Sequence, residues 1–115
     1  MRVNIGSLYL CVLDMDRAIQ FYEELFEMPV TERHGIYSVF EVNGFRFGLF
    51  AFEKMKEHHS FGNNCLPSID VPNLEALQLK LAGKEVVFPV CKIGKNWVSE
   101  FMDSEGNHLE LTAPL

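Results

Sequence analysis

One order of elements runs twice along this chain, and that repeat narrows the possible folds more than any other feature. In the first half, Ile5 to Val12 alternates, with Leu8, Leu10 and Val12 on one face and Ser7, Tyr9 and Cys11 on the other, which predicts a strand. Asp14 is placed to cap a helix from about Met15 to Glu27. Its apolar residues Ala18, Ile19, Phe21, Tyr22, Leu25 and Phe26 form a wide stripe suited to lying on a sheet. Pro29 helps to stop that helix. Strands follow at Val30 to Arg33, Ile36 to Val42 and Phe45 to Phe52, the last two joined by Asn43-Gly44, a strong two-residue hairpin signal. The second half repeats the order. A strand over Cys65 to Val71 leads to Asn73 as cap, then a helix carrying Leu74, Leu77 and Leu81 and closed by Gly83. Strands are expected at Glu85 to Val90, Trp97 to Met102 and His108 to Thr112.

The offsets support a repeat. Val12-Leu13-Asp14 aligns with Val71-Pro72-Asn73 at a shift of 59, and Gly44 aligns with Gly106 at a shift of 62, so the difference falls in loops. The expected fold is α+β: two βαβββ modules with curved mixed sheets and one helix on the convex side of each. The 115 residues form one domain of two repeated modules, about 1–52 and 65–115, joined by a loop over 53–64. Each module alone is too small to be stable. Pairing two, within one chain or between chains, covers what each leaves open and shapes a groove between the concave faces.

Composition removes several classes of function. Hydrophobic residues make up 48% and charged residues 23%, ordinary for a soluble domain, and no stretch approaches the ~18 apolar residues of a membrane helix. The Met1-Arg2-Val3-Asn4 start lacks the apolar run of a signal peptide, and three cysteines (Cys11, Cys65, Cys91) cannot all pair internally, which fits a reducing cytosol. The net charge of −6 is spread along the chain, so no basic stripe exists for nucleic acid; a neutral or cationic ligand is favoured instead. Ten Phe, three Tyr and one Trp exceed what a core of this size needs and suggest an aromatic-lined pocket or interface.

The stretch Asp103-Ser104-Glu105-Gly106-Asn107 reads as a tight turn that launches the last strand, where His108, Glu110 and Thr112 share one face and Leu109 and Leu111 the other. Glu110 is therefore a candidate proton acceptor or charged ligand contact, and His108 a ligand or proton-transfer partner beside it. Alternation assigns Tyr9, Tyr37, Arg46 and Phe50 to the concave face, and Phe47, Leu49, Leu8 and Leu10 to the helix face. Trp97 is the leading ligand-stacking candidate, with coverage of the sheet or of a dimer seam as the plain alternative. Arg46 either meets an anionic group or pairs with Glu41 across the hairpin, the commoner outcome. Cys11, on the face of Ser7, could touch a ligand. His58-His59 reads as surface loop, and His34 before Gly35 as a turn residue.

Two end signatures then resemble a family. Leu10-x-Val12-x-Asp14-(x)3-Ala18-(x)2-Phe21-Tyr22 and Asp103-(x)2-Gly106-Asn107-(x)2-Glu110-Leu111 look like those of the vicinal oxygen chelate superfamily, which includes glyoxalases, extradiol dioxygenases and bleomycin-resistance proteins. The resemblance implies paired βαβββ modules of the glyoxalase/bleomycin-resistance type. Its metal-binding members place ligands early in the first strand and within the last strand of each module. Those positions are Ser7, Leu66, Gly48 and Glu110 here, and only Glu110 is a usual donor. A metal site rearranged around His108, Glu110 and Tyr9 or Glu41 is the alternative.

The expected function is that of a metal-independent member, needing no cofactor. It would be a cytoplasmic homodimer that holds a small organic molecule, neutral or cationic, in an aromatic-lined cleft, similar to the branch linked to antibiotic resistance. The rival expectation is an enzyme: a glyoxalase-type lyase or isomerase, or a dioxygenase, with a rearranged metal site or with Glu110 as general base. A pure interaction module with a self-filled cleft is the third. Neither nucleic acid nor membrane is an expected partner.

Overall fold

A computed structural model describes residues 1–115, in two compact units, Met1–Ser60 and Phe61–Leu115. In the first unit, strand β1 (Ser7–Cys11) leads to helix α1 (Met15–Phe26), then β2 (Tyr37–Val42) and β3 (Phe45–Phe50). The sheet order is β1-β3-β2, with β1 parallel and β2 antiparallel to β3.

Local chemistry accounts for the boundaries. The Asp14 side chain accepts from the Arg17 N–H at 3.0 Å and starts α1. Glu27, in the left-handed region at φ 55°, turns the chain out of the helix at the other end. Met15, Ala18, Ile19, Tyr22 and Leu25 are buried under α1. Below them Tyr22 and Phe26 pack on Phe40 and Phe47 of the sheet, with ring centroids 5.1 to 6.3 Å apart. Asn43 (φ 50°) and Gly44 (φ 84°) both take positive φ, as a two-residue turn between the paired Val42 and Phe45 requires.

The strand expected at Val30–Arg33 is reduced to one bridge, Glu32 to Val39. The reason is local competition for the ladder. The N–H groups of Thr31 and Glu32 both donate to the Val39 carbonyl, and the Thr31 hydroxyl accepts from Glu41 N–H at 2.9 Å where a backbone carbonyl would otherwise stand. The buried Ser38 hydroxyl then holds the turn, accepting from His34 N–H and donating to the His34 carbonyl. His34 is a turn residue as expected, its Nδ1 accepting from Ile36 N–H.

The second unit runs β4 (Ser68–Asp70), α2 (Leu74–Leu81), β5 (Glu85–Ile93), β6 (Asn96–Met102) and β7 (His108–Pro114), in the order β4-β7-β6-β5. Again the first strand lies parallel to the last. Each unit thus has the βαβ-hairpin order, and the fold is α+β with mixed sheets. β4 is shorter than the Cys65–Val71 expected, because Pro67 offers no N–H and joins the ladder only through its carbonyl, which accepts from Glu110 N–H. β5 is longer than expected, reaching Ile93, with irregular register on both sides of Phe88 where Pro89 interrupts an edge strand. The connecting stretch expected to be loop over 53–64 begins with a 3-10 turn, Phe52–Met55. The core of this unit is Leu77 of α2 against Phe101, Leu109, Leu111 and Ala113.

Candidate functional site

In the first unit the register of β1 and β2 on β3 brings Ser7, Tyr9, Cys11, Tyr37, Val39, Glu41, Arg46, Gly48 and Phe50 to the sheet face opposite α1. Tyr9, Tyr37 and Phe50 meet there. Their ring centroids are 5.4 Å (Tyr9–Phe50), 5.9 Å (Tyr9–Tyr37) and 6.3 Å (Tyr37–Phe50) apart, tilted by 47 to 70°. With Ser7 and Glu57 they line a concavity of about 450 Å³, a size that suits a small organic molecule.

Gly48 allows this arrangement. A Cβ at position 48 would overlap the Tyr37 hydroxyl and stand 2.6 Å from Tyr37 Cζ and 3.0 Å from Tyr9 Cβ. The Tyr37 phenol therefore occupies the space that a side chain on β3 would need. Glu57 reaches the concavity because Lys56 takes a left-handed conformation (φ 58°) after the 3-10 turn and sends the chain back. Its carboxylate accepts from His59 Nε2 at 3.0 Å, while the His59 ring stands edge-on to Phe52 (5.3 Å) and Phe50 (6.2 Å). Sequence reasoning left Glu57 unassigned and treated His59 as surface loop. The only signal was the nearness of these residues to the end of β3. Cys11, partly buried on the same face, has its thiol pKa pushed up, first by burial and then by the Glu57 charge.

Arg46 is held elsewhere on this face. Its guanidinium donates to Glu32 at 2.7 Å and to Glu41 at 2.9 Å, so the expected hairpin pairing occurs and a second carboxylate joins it. The hydrogen bond from Arg46 holds the Glu32 carboxyl below its usual pKa, and the two carboxylates raise that of Arg46.

In the second unit, β7 pairs Glu110 with Glu100 of β6 and with Ser68 of β4, and His108 with Met102. Glu110 accepts from the Ser68 hydroxyl at 2.8 Å, and His108 Nδ1 lies 2.5 Å from Glu100 Oε2. His108 and Glu110 do share a face, as alternation predicts. Trp97 does not share it. Opposite Ala113 in the register, it stands on the other side of β6, one position from Val98 and three from Glu100, with the Lys92 ammonium 5.1 Å from its ring centroid.

The turn before β7 is held by Asp103. One of its carboxylate oxygens accepts from the N–H groups of Glu105, Gly106 and Asn107 at 2.8 to 2.9 Å, and the other from the Asn107 amide at 2.9 Å.

The family model for the Glyoxalase/Bleomycin resistance protein/Dioxygenase superfamily matches residues 4–114. The chain belongs to that superfamily. No curated protein matches it. Among solved structures it is similar to an Agrobacterium tumefaciens protein determined by solution NMR (19% identity, TM-score 0.82, 99% of this chain and 99% of that one). A glyoxalase/bleomycin resistance protein/dioxygenase family enzyme from Burkholderia phytofirmans PsJN is comparable (19%, TM-score 0.78, 96% and 98%). So is a lactoylglutathione lyase from Agrobacterium tumefaciens (14%, TM-score 0.73, 97% and 94%). At these identities the likeness is one of fold.

The divalent metal that the superfamily resemblance implies does not fit the residues present. No group of three or more His, Cys, Asp or Glu side chains is placed to hold one. At Gly48, where a ligand would come from β3, a tyrosine ring stands instead.

Proposed function

We propose that this superfamily member binds a small organic molecule in the aromatic concavity of its first unit, without a metal ion, and works as a cytoplasmic homodimer. The observation that carries the reading is the Tyr37 phenol over Gly48. One side chain both closes the place of a metal donor and supplies a stacking surface. Tyr9, Tyr37 and Phe50 give ring surface worth roughly 0.5–1.5 kcal/mol per favourable aromatic pair beyond area burial, and Ser7 and Glu57 give polar anchors. Dimerisation is supported by β5, an edge strand with Val86, Val87 and Ile93 exposed by 42%, 45% and 52%.

The test is a thermal-shift screen of small aromatic compounds on protein stripped with EDTA. Compounds that raise the unfolding midpoint of the stripped protein, and lose that effect in Tyr9→Ala, are the expected result. Tyr9 is 43% exposed, so its removal spares the core. Hits that require added zinc, nickel, iron or manganese, or that persist unchanged in Tyr9→Ala, would refute the proposal.

A second reading is favoured by the close pair His108–Glu100 beside the Ser68-anchored Glu110 on the open face of the second sheet. There Glu110 would act as general base in a glyoxalase-type lyase, isomerase or dioxygenase reaction, the chemistry suggested by the name of one structural neighbour, a lactoylglutathione lyase. Lactoylglutathione lyase turnover lost on Glu110→Gln would establish it, and the response to a chelator would tell a metal site from a metal-free one.

A further inference from the structure

We propose that the aromatic concavity of the first unit is a site for an organic ammonium ion, with Glu57 as its counter-charge and Tyr9, Tyr37 and Phe50 as its ring surface. The inference rests on the reading of this concavity as a ligand site and adds the charge of the ligand.

Three observations carry it. The ring centroids form a triangle with sides of 5.4, 5.9 and 6.3 Å. Because the rings are tilted by 47 to 70° to one another, an ammonium seated against them meets the face of one or two rings within the ~6 Å over which a ring face attracts a cation. Glu57 belongs to the same lining and is the charged member of it, so the concavity joins π surface to a carboxylate. Two cations of this unit are engaged away from it: Arg46 by Glu32 and Glu41, and Lys54 by the Gly35 carbonyl at 3.2 Å. A carboxylate or phosphate ligand would therefore meet the Glu57 carboxylate and no cation among the lining residues.

The placement of Glu57 is built rather than incidental. Its carboxylate is tied to His59, whose ring is seated against Phe50 and Phe52, so the loop is fixed to the edge of the sheet by an aromatic contact and a hydrogen bond. Cys11, opposite Phe50 in the register, has its thiol pKa raised by burial first and by the Glu57 charge second, in keeping with a carboxylate near this face. The ligand class that fits is a tertiary or quaternary ammonium carrying apolar or aromatic substituents. Its charge would meet Glu57, and its weakly hydrated methyl groups would lie on the rings at little desolvation cost.

The experiment compares two compounds of one shape, 3-hydroxyphenyltrimethylammonium and the neutral 3-tert-butylphenol, titrated into the 115-residue protein and followed by backbone amide shifts. The ammonium is expected to bind about tenfold tighter than the phenol and to shift the amides of Ser7, Tyr9, Tyr37 and Phe50. Glu57→Gln should weaken the ammonium about tenfold and leave the phenol within about twofold. The Glu57 side chain is 49% exposed, and an unchanged unfolding midpoint would show that the variant folds. Equal affinities, or an ammonium affinity indifferent to Glu57→Gln, would overturn the ammonium assignment. If the phenol then still bound and lost its binding in Tyr9→Ala, the aromatic ligand site itself would stand. Failure of both compounds to shift any of the four amides would sink the ammonium site and the ligand site together.

Discussion

A single missing side chain shapes the open face of the first sheet. Gly48 is buried on β3, and its absent Cβ is the space into which Tyr37 swings its phenol. Gly48→Ala would force that ring aside, because the nearest atoms belong to an aromatic side chain packed against two others. Loss of roughly 1–3 kcal/mol of stability is expected, as for overpacking elsewhere, together with weaker binding of aromatic compounds. Denaturant unfolding and the thermal-shift screen check the two effects separately, and an unaltered response in both would contradict the role given to the glycine. At this scale sequence was a partial guide. Tyr9, Tyr37 and Phe50 were legible from alternation, because a strand must put every second residue on one face. Glu57 and His59 were not, since a loop has no period and the left-handed turn at Lys56 that redirects them falls at a residue type carrying no such preference.

Among the elements, the turn and strand at the C-terminus show how a signature can be structural. Asp103 is buried and takes three backbone N–H groups on one oxygen, so the Asp-x-x-Gly-Asn pattern is a turn-closing device. Asp103→Ala would leave those donors short of a partner and should lower stability by roughly 3 kcal/mol or more, read as a fall in the denaturation midpoint. A loss below about 1 kcal/mol would mean that water replaces the carboxylate without strain. Helix limits were readable for the same kind of reason, since Asp14 and Asn73 each accept an N–H from the residue three on, at 3.0 and 2.8 Å. Strand limits were less so. The segment at Val30–Arg33 keeps one bridge because the Thr31 side chain takes a ladder position, a choice that intrinsic strand preference does not register. Trp97 is the other instance. Both faces of β6 carry apolar residues, Val98 and Met102 on one and Phe101 on the other, so alternation gave its phase but the pairing with Ala113 fixed its side.

For the molecule as a whole, both units run their first strand parallel to their last; one further strand, β2, completes the sheet of the first unit and two, β5 and β6, that of the second. The exposed apolar residues of β5 sit at the edge of the second sheet. A homodimer predicts a solution mass near twice the 13.2 kDa of one chain by light scattering, and replacing Val87 and Ile93 with lysine should shift the protein toward that single-chain mass. A monomer in the parent protein at micromolar concentration would rule the dimer out.

Taken by itself, the sequence determined the repeated order of elements, the helix caps, the Asn43-Gly44 turn and membership of the superfamily, because periodicity, capping and turn chemistry act over a few residues. The family resemblance, in turn, implied Gly48 and Ser7 at positions where metal-binding members carry donors. The tertiary structure alone decided what fills the space at Gly48, which carboxylate reaches the aromatic concavity, and which face of β6 holds Trp97. Those outcomes depend on strand register and on where one loop returns, which bring together residues far apart in the chain.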